Sequence, residues 1–138
     1  MESKKVQIYE HIQSFPGKTF SEITRDLQLR SSTVRFHLGT LEKDNLIISS
    51  KIDKTRYFSA MEDSQNQIKI SIENNSHLKE ILETIKTPKT LDEIFYKTKI
   101  SKSLLSKRLK VLSQYGVVEK KKIGSKILFN KNFKNEKF

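Results

Sequence analysis

Apolar positions along the chain follow two rhythms, one of about 3.6 residues and one of two. The pair of rhythms occurs twice in the same order. Ile8, Ile12 and Phe15 share one face of a first helix expected over Lys5–Ser14. Pro16 and Gly17 stop it, because neither continues a helix cheaply. A second helix carrying Ile23 and Leu27 is expected to start near Ser21, its N-cap candidate. The chain then turns at Leu29–Ser31, and Ser31 can cap a third helix whose buried stripe is Val34, Leu38 and Leu41, spaced i, i+4, i+7. "LIISSKIDKTRYFSA" switches to the alternation of strands, with Asp53-Lys54 as the tight turn of a hairpin. Downstream, helices are expected over Leu78–Lys86, Leu91–Thr98 and Lys102–Tyr115, the last with Leu105, Leu109 and Leu112 as its stripe. A second hairpin should turn at Gly124-Ser125. In the segment between, Ile68, Ile70 and Ile72 alternate like a strand, while Ile68 and Ile72 alone suit a helix; a connecting helix is the expectation.

The recurrence is an internal repeat. Shifting the chain by 71 residues lays Phe20–Ser59 over Leu91–Asn130 without a gap. Eight positions are identical: Glu22/Glu93, Ile23/Ile94, Ser32/Ser103, Leu38/Leu109, Leu41/Leu112, Lys51/Lys122, Ile52/Ile123 and Phe58/Phe129. Upstream, "IYEHI" matches "ILETI" at an offset of 73, the slip falling in loops where insertions cost little. Three helices followed by a hairpin make a winged helix-turn-helix. The expected fold is therefore mainly α with small β-hairpins (α+β), built as two tandem winged helix-turn-helix domains. The first covers 1–61, a linker 62–76, the second 77–130, and a polar, frayed tail 131–138.

Charge separates the halves. The net charge of +11 divides into +3 for residues 1–61, −2 for 62–76 and +10 for 77–138. So basic a C-terminal half suits a polyanion, with nucleic acid ahead of an anionic membrane, although a lysine-rich surface also serves solubility alone. The chain has no Cys, which excludes a disulfide framework and thiolate metal sites. No apolar run approaches the roughly 18–20 residues of a membrane span, and no signal-peptide core follows Met1, so the expected location is cytoplasmic.

"FPGKTFSEITRDLQLRSSTVRFHLGTLEKDNLI", followed by "RYFSAM", resembles the first half of archaeal tandem winged-helix transcriptional regulators. A similar Pro-Gly, a T-V-R-aromatic-H-L recognition helix and a wing ending like R-Y-F-P recur there. "SKSLLSKRLKVLSQYGVVEK" is similar to recognition helices of MarR-type and HxlR-type repressors, within the wider MarR/ArsR/HxlR-like superfamily. The resemblance covers Lys5–Asn130 and implies a double-stranded DNA partner and transcriptional repression. Two features depart from it. Asn45 stands where that family usually has the Gly ending the helix, a conformation Asn tolerates. Many of those regulators also carry a membrane segment, and no such segment is found here.

The third helix has a second face. Opposite Val34 stand Ser32, Phe36, Gly39 and Lys43, with Arg35 alongside and Arg30 and Thr33 at the entry. In a helix-turn-helix that face enters the major groove. Ser32 and Thr33 are short donors for phosphates or base edges, and Arg35 can clamp guanine or a phosphate. Phe36 suits thymine methyls, or else packing against a dimer partner or neighbouring helix; the sequence leaves both open. Gly39 would let the DNA backbone come close, at a cost of about 1 kcal/mol in helix propensity relative to Ala. In the second unit Lys102, Ser103, Ser106, Lys107 and Lys110 face outward, a set suited to phosphates more than to base reading. Lys51, Lys54 and Arg56 in the first wing, and Lys120, Lys121, Lys122 and Lys126 in the second, would flank the groove. Lysines protecting an edge strand would read the same way.

Nothing supports catalysis, a cofactor or a metal. His11, His37 and His77 are scattered without paired carboxylates at ligand spacing, and His37 suits a structural hydrogen bond. The expected protein is a non-enzymatic, sequence-specific DNA-binding repressor. A homodimer on a palindromic site is the expectation, with Tyr9, Phe95 and Tyr115 as candidate interface residues unless they simply fill the small cores. A protein-binding winged-helix scaffold of a transcription or chromosome complex and a non-specific architectural DNA binder are the alternatives.

Overall fold

The computed structural model describes residues 3–132. The chain divides into two compact units, Met1–Ser71 and Ile72–Phe138. The first unit holds α1 (Lys4–Ser14), α2 (Phe20–Leu27), α3 (Ser31–Lys43), β1 (Ile47–Lys51) and β2 (Thr55–Ser59). Helix α4 (Ser64–Glu73) contains the division between the units. The second unit holds α5 (Ser76–Thr84), α6 (Leu91–Thr98), α7 (Lys102–Gln114), β3 (Val118–Ile123) and β4 (Lys126–Lys131). Among the described residues the fold is thus α+β, with seven helices and two separate antiparallel hairpins. None of the described helices is long and apolar enough to cross a membrane.

Local chemistry explains the boundaries. The N-cap of α2 is Thr19, two residues before Ser21, and it forms a reciprocal capping box with Glu22. Thr90 and Glu93 do the same for α6. Burial raises the Glu22 carboxyl, but the bonds from the Thr19 backbone and hydroxyl, with Lys18 and Arg56 nearby, leave it below its ordinary value. Ser31 is not a cap. The N-cap of α3 is Arg30, which makes no side-chain capping bond, whereas Ser101 caps α7 through the Leu104 amide. Gln28 and Lys99 adopt the left-handed conformation in the turns before α3 and α7, at φ 54° and 61°.

Asn45 sits at φ 60° at the end of α3, the left-handed conformation that the resemblance implied there, and Gly116 sits at φ 76° after α7. In both places the helix closes with a Schellman pair, Leu46 N–H to Leu41 and Asn45 N–H to Glu42 in the first, Val117 N–H to Leu112 and Gly116 N–H to Ser113 in the second.

The first core joins Ile8, Ile12, Ile23, Val34, Leu38, Leu41 and Ile47, with Tyr9, Phe20, Leu27, Leu29 and Tyr57 packed against it. Tyr9 therefore fills the core edge and accepts a bond from Gln13. In the second unit Leu78, Ile81, Ile94, Leu105, Leu109 and Leu112 are buried. Each unit adds a strand-like contact from the loop after its first helix: Tyr57 N–H donates to Lys18, and Lys89 and Phe129 exchange two bonds. The linker segment contributes Ile68, which is buried.

Gly17 shows how tightly α4 closes the first unit. It has φ +94°, and a Cβ there would collide with Ile70 of α4. Gly17→Ala should lower stability by about 2–4 kcal/mol, combining left-handed strain with overpacking. A thermal melt checks this; an unchanged midpoint would mean that α4 does not pack on this loop.

Candidate nucleic-acid interface

The stripe Val34, Leu38 and Leu41 is buried to within 3% exposure, which fixes the opposite face of α3 outward. Ser32, Arg35, Phe36, Gly39 and Lys43 are all exposed there, and Arg30 is exposed at the helix start. Thr33 is half-buried. Phe36 is 68% exposed, and its ring stands edge-to-face with that of His37, at 5.2 Å between centroids. Packing against a neighbouring helix of the same unit does not explain it. The expected structural bond of His37 is not seen at Nδ1, which is buried and unpartnered among the described residues. A Cβ added at Gly39 would meet nothing within 4 Å, so no packing in the unit demands a glycine.

Arg35 is braced rather than loose. Its guanidinium lies 4.9 Å above the centre of the Phe20 ring. With Leu38, Gly39, Glu42 and Tyr57 these two residues line an open cleft between α3 and the hairpin. Burial raises the Tyr57 phenol, Glu42 raises it further, and Arg35 opposes both. In the second unit Ser106, Leu109, Lys110, Ser113, Gln114, Lys120 and Phe129 line a cleft between α7 and its hairpin. Glu42 and Tyr57 were not legible as site residues, because nothing in the sequence says that strand β2 returns beside α3.

On α7, Ser103, Ser106, Lys107 and Lys110 are exposed as expected. Lys102 is partly committed elsewhere, pairing with Asp92 at 2.6 Å and lying 5.5 Å from the centre of the Phe95 ring. Leu104 is half-buried, and so is Phe95, while Tyr96, which the sequence did not single out, is 76% exposed.

The two hairpins differ, and the difference corrects the gapless alignment. In the first, Lys51 pairs with Thr55 and three residues separate them. In the second, Lys122 pairs with Ile127 and four residues separate them, enough for one more pair, Ile123↔Lys126, and a two-residue turn at Gly124-Ser125. Beyond the turn the structural offset is therefore 72, not 71. The bond of Ala60 to Leu46 corresponds to that of Asn132 to Val117. Tyr57 corresponds to Phe129, Phe58 to Asn130 and Arg56 to Leu128. The identical pairs Ile52/Ile123 and Phe58/Phe129 are thus alike in sequence and unlike in place.

Arg56 is the candidate that the structure withdraws. It is 3% exposed, donates from Nε and Nη2 to both carboxylate oxygens of Asp53, and donates from Nη1 to the Gly17 carbonyl. A guanidinium so enclosed holds its own hairpin and cannot also grip a phosphate. Lys51 and Lys54 remain exposed on that hairpin, and Lys120, Lys121, Lys122 and Lys126 on the other. Lys131, which the sequence reading placed in the tail, belongs to β4; residues 133–138 of the expected tail lie outside the described residues.

Among the described residues no group of His, Cys, Asp and Glu could hold a metal. His11 bonds to Asp26 at 3.0 Å, and Lys18 pairs with the same carboxylate, which these two partners hold below its ordinary value.

Arg56→Met should cost about 3 kcal/mol, because it removes the guanidinium paired with the enclosed Asp53 carboxylate, whereas Lys54→Ala on the same hairpin should stay within about 0.5 kcal/mol. Urea unfolding of both variants checks this, and equal midpoints would contradict a structural Arg56.

Two comparisons with known proteins bear on this geometry. A family model described as an N-terminal HTH domain, of the HVO_0163 type, matches residues 2–70. An uncharacterized HTH-type transcriptional regulator of Methanocaldococcus jannaschii, MJ1398, is 31% identical over 125 residues. The match covers 89% of this chain and 32% of that protein, so the chain spans about a third of the length of the relative.

Proposed function

The chain belongs to the HVO_0163-type N-terminal HTH domain family, and we propose that it is a transcriptional regulator that binds specific sites on double-stranded DNA through two winged helix-turn-helix units in tandem. The observation that carries this reading is the exposed face of α3. Its other face is fully buried, yet it presents Phe36, Gly39 and a ring-braced Arg35 where a surface helix would need only solvating charge. The uncapped first turn of α3, with Arg30 and Ser32 exposed beside it, offers amide donors and charge of the kind that suits a phosphate. The name of the archaeal relative supports a role in transcription.

The tandem reading rests on the matched boundaries of α2 with α6 and of α3 with α7, each at an offset of 71, and on the left-handed Gln28 and Lys99 at the same offset. In this reading α3 reads bases and α7 grips phosphates, since Lys107 and Lys110 are point charges and Arg35 is a planar fork. Repression follows if the bound site overlaps one that the polymerase needs. A two-fold homodimer on a palindromic site completes the proposal.

Selection of bound genomic fragments at about 150 mM salt tests the reading, because weak phosphate attraction is then substantially screened. An enriched motif is expected, two-fold symmetric if the dimer is right; retention without a motif would favour an architectural binder, and no retention a protein scaffold. Arg35→Ala with Phe36→Ala should erase the preference for the selected motif while leaving non-specific binding intact. Lys107→Glu with Lys110→Glu should weaken all sequences alike and lower the salt slope by about 2. Gly39→Ala should stabilise the free protein by about 1 kcal/mol yet weaken DNA binding at least about tenfold. Unchanged affinity would remove close backbone approach as the reason for that glycine.

A further inference from the structure

We propose that the tip of the C-terminal hairpin is an apolar wedge for the minor groove of duplex DNA, with Ile123 and Ile127 entering against the base steps and Lys122 and Lys126 holding the flanking phosphates. The inference rests on the duplex-binding reading above and adds a bend to it.

The tip is unusual in what it exposes. Ile123 is 61% exposed and Ile127 40% exposed, although both stand in strands. Ile123 faces Lys126 across the ladder, and Ile127 faces Lys122. The two pairs are adjacent, so they project to opposite sides of the hairpin. Each side of the tip therefore carries one isoleucine with one lysine opposite. Strand propensity alone does not require this, because Thr would serve as well without baring apolar surface.

The first hairpin shows the same residue treated the other way. Its Ile52, preceded by Lys51 as Ile123 is by Lys122, is 3% exposed. The three-residue loop there is tied down by Arg56, Asp53 and Gly17. In the second hairpin Leu128 takes the place of Arg56, and the extra residue extends the ladder past the point where the first hairpin turns. One unit hides its tip; the other bares it.

Charge selects the occupant. Lys120, Lys121, Lys122 and Lys126 are all exposed on this hairpin, against Glu119 alone, and Glu119 accepts a bond from Asn130. Such a tip repels a second copy of itself and attracts a polyanion. Two isoleucines are too little apolar surface to anchor a bilayer, but they match the wedges that unstack base steps from the minor groove. That groove is about 6 Å wide, so the tip residues can enter while the body of a two-stranded ribbon stays outside.

The test uses the full chain and an AT-rich duplex of about 30 base pairs carrying a donor and an acceptor dye at its ends, a length over which a protein-induced bend shortens the end-to-end distance. The wild-type protein should raise energy transfer at saturation. Ile123→Ser with Ile127→Ser should still bind, with the same salt slope because every lysine remains, but should produce no more than about a third of the wild-type change in transfer. Both substitutions are at exposed positions, and circular dichroism verifies the fold. A double variant that bends DNA as the wild type does, or a wild type that binds without bending, overturns the wedge and leaves the DNA reading standing. A wild type that ignores the duplex overturns both. Isoleucine-dependent binding to phosphatidylserine vesicles, with duplex bending unaffected, would assign the tip to a membrane surface instead.

Discussion

Arg56 decides what the first hairpin can do. A guanidinium buried to 3% exposure must find partners for its donors, and Asp53 and the Gly17 carbonyl supply them. Asp53 sits in the turn and Gly17 in the loop after α1, so one side chain ties the hairpin tip to the helical body of its unit. Ile52 is covered as a result, and Phe58 is wholly buried. Gly17 must then be a glycine on two counts, its φ and the approach of Ile70. The clamp thus links α4, the loop after α1, and the hairpin in one packed arrangement.

The second unit keeps the helices of this plan and discards the clamp. With Leu128 in the place of Arg56 there is no charge to enclose, and the ladder lengthens by a pair. Asn130 stands where Phe58 stands, and its Oδ1 is buried without a partner among the described residues. An unsatisfied acceptor there weakens the base of the hairpin relative to a buried phenylalanine. The second unit thus carries an exposed basic ribbon where the first carries a loop held by its own arginine. The difference in charge between the halves follows the same division.

Periodicity carried most of the helices, because stripes such as Val34–Leu38–Leu41 and Leu105–Leu109–Leu112 are long enough to have one reading. The caps were less legible. Ser21 and Ser31 have the right chemistry for an N-cap, but Thr19 wins for α2 since only it places a glutamate three residues on for the reciprocal bond. The left-handed turns before α3 and α7 left no trace at all, as Gln28 and Lys99 are not residues that announce that conformation. Composition was also blind to the fate of arginine. Arg56 looked like one more basic residue of a wing, and only the return of β2 beside the loop at Gly17 shows it to be internal. The outward faces of α3 and α7, by contrast, were fixed as soon as their buried stripes were.

The gapless repeat misled at one place for a physical reason. Identity at Ile52/Ile123 and Phe58/Phe129 favours an alignment without a gap, and side-chain identity is all that a sequence comparison sees. Pairing follows the backbone instead. A single added residue between Lys122 and Ile127 shifts every later residue by one, and in a strand a shift of one reverses which face it takes. Phe129 therefore leaves the core position of Phe58 and lines the cleft beside α7, where the first unit has Tyr57. Ile123 likewise moves from a covered turn to an exposed strand end. Similar apolar patterns can in this way build unlike hairpins: Arg56 braces the first against the loop after α1, while the second, with Leu128 in that place, extends its ladder and bares isoleucines and lysines at its tip.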